Sequence, residues 1–152
     1  MKGLISISLA LLLVFSNFTV SSGLETVQNT VDSSETLIIE SVIETVERDE
    51  KNRATYKVTG TKTTKVKSGS TVLWTVTVTG TFEYDGSHST CTAASVSTTC
   101  SASAWKISSK SASKSGSSAT AKATGQRYDN GVVVQTLTES VTLVCGSDGT
   151  LY

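Results

Sequence analysis

Between Thr71 and Tyr84 the chain alternates with a period of two, and this stretch narrows the possible folds more than any other. Val72, Trp74, Val76, Val78, Phe82 and Tyr84 share one parity. Thr71, Thr75, Thr77, Thr79, Thr81 and Glu83 share the other, and only Leu73 and Gly80 depart. Successive side chains of a strand point to opposite faces, so this segment buries one side and wets the other. Tyr56, Val58 and Val66 alternate with Thr and Lys before it, and Lys67-Ser68-Gly69-Ser70 supplies a turn, which predicts a β-hairpin.

The C-terminal part follows the same logic. Val133, Leu137, Val141, Leu143 and Cys145 lie on one parity, with Thr136, Thr138, Ser140 and Thr142 on the other. Asp129-Asn130-Gly131 is a turn in which Asn-Gly takes positive φ cheaply. Ala119, Ala121 and Ala123 alternate with Thr120, Lys122 and Thr124 after a Ser115-Gly116 turn, and Trp105 and Ile107 begin another short strand. Residues 87–104 and 108–118 are rich in Ser, Thr and Ala, so strands there are poorly marked. The expected fold is all-β, an antiparallel β-sandwich, immunoglobulin-like or related, of six to eight short strands over residues 55–152. The chain has no Pro to blunt sheet edges, a task that falls to residues such as Lys57, Lys62 and Lys65.

Residues 1–23 read as an export signal. Lys2 gives the positive start, Leu4 to Phe15 an apolar run broken only by Ser6 and Ser8, and Val20-Ser21-Ser22-Gly23 a cleavage region. The run is shorter than the ~20 apolar residues that span a bilayer, and no apolar tail closes the chain, so a secreted, extracellular product without a membrane anchor is expected. Residues 24–54 hold eight acids against three bases, a balance of −5, whereas residues 55–152 hold nine bases against five acids, a balance of +4. The acidic segment is either a solvated linker or a pro-segment cleaved near Arg48 to Arg53. Within it Ile39, Val42, Ile43 and Val46 fall at helical spacing behind a capping box from Asp32 to Glu35, which predicts a marginal short helix, although β-branched residues suit a strand.

A thin core in an exported domain gains from a covalent tie. Joining Cys91 to Cys145 closes a 55-residue loop and contributes roughly 4 kcal/mol, against roughly 3 kcal/mol for the short loop from Cys91 to Cys100. That difference does not decide the pairing. Cys145 lies on the apolar parity of a strong strand and Cys91 follows another, which favours a Cys91–Cys145 disulfide with Cys100 left over. Three Cys and His88 lack the close pair that zinc sites use, so no metal and no cofactor is expected.

Ser and Thr make up 50 of 152 residues, but a hydroxyl nucleophile needs a base, and the single imidazole is His88. Its surroundings, Asp85-Gly86-Ser87-His88-Ser89, are an ordinary hairpin loop as readily as a reaction centre, so the chain is expected not to be an enzyme. Thirteen bases balance thirteen acids, which speaks against nucleic acid as partner. The row Thr75, Thr77, Thr79 and Thr81 is a candidate binding face for a flat crystalline or glycan surface, provided Thr136, Thr138 and Thr142 lie alongside. Lys106, Lys110, Lys114 and Lys122 offer attraction to an anionic cell-wall or surface polymer.

The segment Ala104-Trp105-Lys106-Ile107-Ser108-Ser109-Lys110-Ser111-Ala112-Ser113-Lys114-Ser115-Gly116 carries a likeness of another kind. Together with Gly131-Val132-Val133-Val134-Gln135-Thr136 and Val141-Thr142-Leu143-Val144-Cys145, it resembles a group of small exported proteins of Gram-positive bacteria whose function is uncharacterised. The resemblance covers residues 53 to 152. It implies export, a β domain and a recurring Cys91/Cys145 pair with Cys100 as an extra, and it implies no catalytic residue. The leading expectation is a secreted, non-enzymatic β-domain with a binding or structural role outside the cell. The alternative is a secreted effector or toxin-like protein held inactive by the acidic pro-segment, and a small hydrolase using His88 ranks third.

Overall fold

A computed structural model describes residues 26–30, 36–49 and 55–152. The export signal over 1–23, the capping box from Asp32 to Glu35 and residues 50–53 of the cleavage stretch lie outside the described residues. The described chain is all-β, without a helix, and its strands form two antiparallel sheets. The larger sheet runs in the order β1 (Thr26–Thr30), β2 (Thr36–Asp49), β3 (Tyr56–Ser68), β4 (Thr71–Tyr84) and β5 (Ser89–Cys100). The smaller contains β6 (Trp105–Ser115), β7 (Ser118–Asp129) and β8 (Val132–Val144). Each strand pairs with its neighbour in sequence, so both sheets are meanders.

The alternation of Thr71–Tyr84 becomes strand β4 at the centre of the larger sheet. Trp74, Val76, Val78 and Phe82 are fully buried, while Thr75, Thr77, Thr79 and Thr81 stand half-buried on the opposite face. Both departures from parity have a physical cause. Leu73 is the extra residue of a bulge, since Val66 pairs with Trp74 and Lys67 with Val72, and the bulge turns its side chain into the core. Gly80 faces inward where a Cβ would lie 2.6 Å from ring carbons of Phe82 and 2.9 Å from the Cβ of Ala119 on β7.

The two sheets meet through unequal partners. From β4 come Trp74 and Phe82; from β7 come Ala119, Ala121, Ala123 and Gly125, all buried. Large residues on one face and small ones on the other let the layers interdigitate. Val58 and Val66 of β3 and Val141 and Leu143 of β8 complete the centre. Each large side chain so buried contributes roughly 1.5–3 kcal/mol. At the β7–β8 turn Asn130 and Gly131 have φ of 48° and 82°, the left-handed pair that a tight hairpin demands.

Two expectations are corrected, and two open stretches are filled. Ile39 to Val46 lies within β2, a strand paired with β3 from Leu37↔Ser68 to Asp49↔Lys57, and not in a helix. The β-branched residues decide the matter, and pairing along β3 supplies the partner that an isolated helix of this length lacks. The larger sheet therefore continues across the 54/55 boundary. The Cys91–Cys145 disulfide is not formed: all three cysteines are thiols, Cys91 and Cys145 buried and Cys100 exposed. Cys91 Sγ donates to Ala93 O at 3.2 Å and Cys145 Sγ to Gly146 O at 3.3 Å, each satisfied near its own backbone. Finally, residues 87–104 and 108–118, poorly marked in the sequence, contain the long strands β5 and β6.

Candidate functional site

The outer face of the larger sheet is a grid of hydroxyls. Cross-strand register places Thr77 between Thr63 and Ser97, Thr79 between Thr61 and Ser95, Thr81 between Thr59 and Ala93, and Thr75 between Lys65 and Thr99. Strand geometry fixes the pitch at about 4.8 Å across the strands and about 6.7 Å along them. Thr63 and Thr77 are bonded at 2.8 Å, Thr75 and Thr99 at 2.7 Å, and Thr59 and Thr81 at 3.2 Å, hydroxyl to hydroxyl. A hydroxyl carries one donor and two acceptor positions, so a bonded pair keeps capacity for an outside partner. Pairs of this kind also hold strands together.

The expected neighbours of Thr75–Thr81 are not the ones found. Thr136, Thr138 and Thr142 lie on β8 in the smaller sheet, where Thr138 bonds Thr124 and Thr142 bonds Thr120, each at 2.9 Å. Strands β3 and β5 fill the places beside β4 instead. A second hydroxyl ladder thus covers the smaller sheet, with Lys122 between Ser111 and Ser140. Sequence reasoning missed this division because parity shows which residues share a face of one strand and not which strands are neighbours.

The lysines do not gather into one patch. Lys106 sits 5.0 Å from the ring centre of Tyr128, a cation–π contact, and Lys114 donates from Nζ to the backbone carbonyl of Thr92 on β5. Lys122 stands exposed on the outer face of β7.

In the loop between β4 and β5, the Asp85 carboxylate accepts the backbone N–H groups of His88 at 2.7 Å and Ser87 at 2.8 Å. The His88 bond, then the Ser87 bond, holds its pKa below the usual carboxylate value. Asp85 is therefore committed to shaping the turn. Ser89 Oγ donates to Cys145 O at 2.6 Å, and His88 is exposed. Among the described residues no three His, Cys, Asp or Glu side chains converge as metal ligands.

A feature missed at the sequence level is Glu139. It occupies the inward parity of β8 between Leu137 and Val141, opposite Ala123, which is 1% exposed. Burial raises its pKa. The run Leu137, Glu139, Val141, Leu143 on one parity was the available signal.

No family of known proteins, no curated protein and no solved structure matches this chain.

Proposed function

We propose that the chain is an exported, non-catalytic β-sandwich, related to immunoglobulin-like domains in layering though meandering in strand order, that binds an extended polyhydroxylated polymer or surface outside the cell. The observation that carries this reading is the three-strand hydroxyl grid centred on Thr63–Thr77, where register, hydrogen bonding and partial exposure coincide. A repeating polymer meets a repeating lattice in many equivalent places, so weak hydroxyl contacts add through multivalency. The likeness to small exported Gram-positive proteins supports a role outside the cell; the cell-wall or surface polymer as partner rests on the hydroxyl grid alone, and no cofactor is called for. Removal of residues 24–54 as a pro-segment would strip β1 and β2 from the sheet, which weighs against the effector alternative.

The test is co-sedimentation with insoluble cellulose, chitin and isolated bacterial cell wall, comparing wild type with the Thr63→Val/Thr77→Val double variant. Valine keeps the branched shape and removes both hydroxyls of one rung. Retention of wild type on at least one of these polymers, with loss in a variant of unchanged circular dichroism, supports the reading. Equal retention of both proteins, or of neither, overturns it.

A further inference from the structure

The outer face of the smaller sheet differs in charge from the outer face of the larger one. Four successive rungs cross β6, β7 and β8, from Lys106–Gln126–Thr136 at one end to Ser113–Thr120–Thr142 at the other. Their side chains end in hydroxyl, amide or ammonium groups only. Every β6 and β8 member of these rungs is exposed, and two of the hydroxyl pairs, Thr120 with Thr142 and Thr124 with Thr138, are bonded.

Carboxylates are kept off this face. Of the two acids on these strands, Glu139 has the inward parity of β8 and Asp129 stands at the β7–β8 turn. The four lysines divide by face. Lys110 and Lys114 have the inward register of β6, opposite the buried Ala123 and Ala119, and Lys114 is taken up by the Thr92 carbonyl. Lys106 and Lys122 have the outward register and are exposed, and strand geometry sets their backbones about 14 Å apart. Lys106 rests against the Tyr128 ring, and no ion pair among the described residues engages either ammonium group. On the larger sheet the bases are compensated in register. Lys57 stands opposite Glu83, Lys65 opposite Glu40, and Lys67 is ion-paired with Glu40 at 2.6 Å.

An exposed ammonium group with no carboxylate neighbour draws anions, and the attraction weakens with salt. Two such groups, separated by hydroxyls, match a polymer that bears charge at intervals and hydroxyls between. A nucleic acid, with a charge on every unit and bases to stack, calls for more cations and open aromatic rings. We propose that the outer face of β6–β8 is a second binding face, for an anionic polysaccharide. Lys106 and Lys122 meet acidic groups spaced along the chain, and the hydroxyl rungs between them meet its sugar hydroxyls. Weak contacts add along a repeating chain. The two outer faces point away from each other, and this proposal does not rest on the grid of the larger sheet.

The probe is carboxymethyl-dextran, with unmodified dextran of the same length as control, each immobilised and read by biolayer interferometry with the full chain at low salt. The expected result is a preference for carboxymethyl-dextran that fades as salt is added. Lys106→Gln/Lys122→Gln should lower that affinity about two- to thirtyfold, the worth of two exposed ionic contacts. Lys57→Gln/Lys65→Gln removes the same net charge from the other sheet and should leave it unchanged. Thr124→Val/Thr138→Val, which takes both hydroxyls from one rung, should weaken binding, whereas Thr63→Val/Thr77→Val should not, so failure here and failure of the first grid are told apart. Equal binding of the two dextrans, equal loss in the two Lys variants, full affinity in Thr124→Val/Thr138→Val, or tighter binding to single-stranded DNA than to carboxymethyl-dextran overturns the proposal.

Discussion

Replacing Gly125 with Ala puts a methyl group where the indole of Trp74 already lies. The new Cβ would sit 2.7 Å from Cε2, 2.8 Å from Nε1 and 3.1 Å from Cζ2. Ordinary carbon contacts lie at about 3.5–4.0 Å. The overlap must be relieved by turning a fully buried indole or by parting the sheets, and overpacking of this kind costs roughly 1–3 kcal/mol. In a domain of this size that corresponds to a melting temperature lower by at least about 4 °C. The assay is thermal unfolding followed by circular dichroism, run as a double-mutant cycle with Trp74→Phe. Phenylalanine withdraws the indole atoms next to Gly125 and removes a buried N–H that has no partner. The double variant should therefore be more stable than the two single losses predict when added, by about 0.5–3 kcal/mol. Strict additivity, or a Gly125→Ala protein as stable as wild type, would refute the close packing of β4 on β7.

Other consequences are open to measurement. Burial raises the pKa of Glu139, so the folded protein holds a proton over a window in which the unfolded chain has released it. Stability is then highest below the ordinary carboxylate pKa and falls as pH rises through the folded value; denaturant titration across pH should show this slope shrink in Glu139→Gln. Asp85 has the opposite sign, since its lowered pKa gives a contribution that is lost as pH falls, and Asp85→Ala should speed amide exchange at Ser87 and His88 while leaving β4 unaffected. Alkylation with mass detection should label exposed Cys100 first, its rate rising with pH as thiolate forms but over a range displaced above that of an ordinary thiol because desolvation raises its pKa, with Cys91 and Cys145 reacting only on unfolding.

The sequence revealed strands where large apolar and hydroxylated residues alternate strictly, as in Thr71–Tyr84 and Val133–Cys145. It concealed β5 and β6 because the inward register of β5 mixes Cys91, Ala94 and Val96 with Thr98, and that of β6 sets Lys110 and Lys114 opposite the buried Ala123 and Ala119, so no strict apolar alternation marks either strand. β2 was misread for a related reason. Ile38 and Val42 lie on one face and Ile39 and Ile43 on the other, all half-buried, so apolar residues on both faces erased the period of two and imitated a helical stripe. The Thr row of the candidate face was visible, whereas its neighbours depend on strand pairing that no local pattern encodes. Inward placement of Cys91 and Cys145 was legible too, but parity says nothing about whether two sulfurs meet.

The hydroxyl face is examined at residue level by methyl NMR on the full chain with labelled Thr, titrated with a soluble oligosaccharide of whichever polymer retains the protein. Resonances of Thr61, Thr63, Thr77 and Thr79 should move together and saturate at one concentration. Changes confined to the loop around His88, or none at all in a protein that still sediments with the polymer, would place binding elsewhere and end the role assigned to the grid.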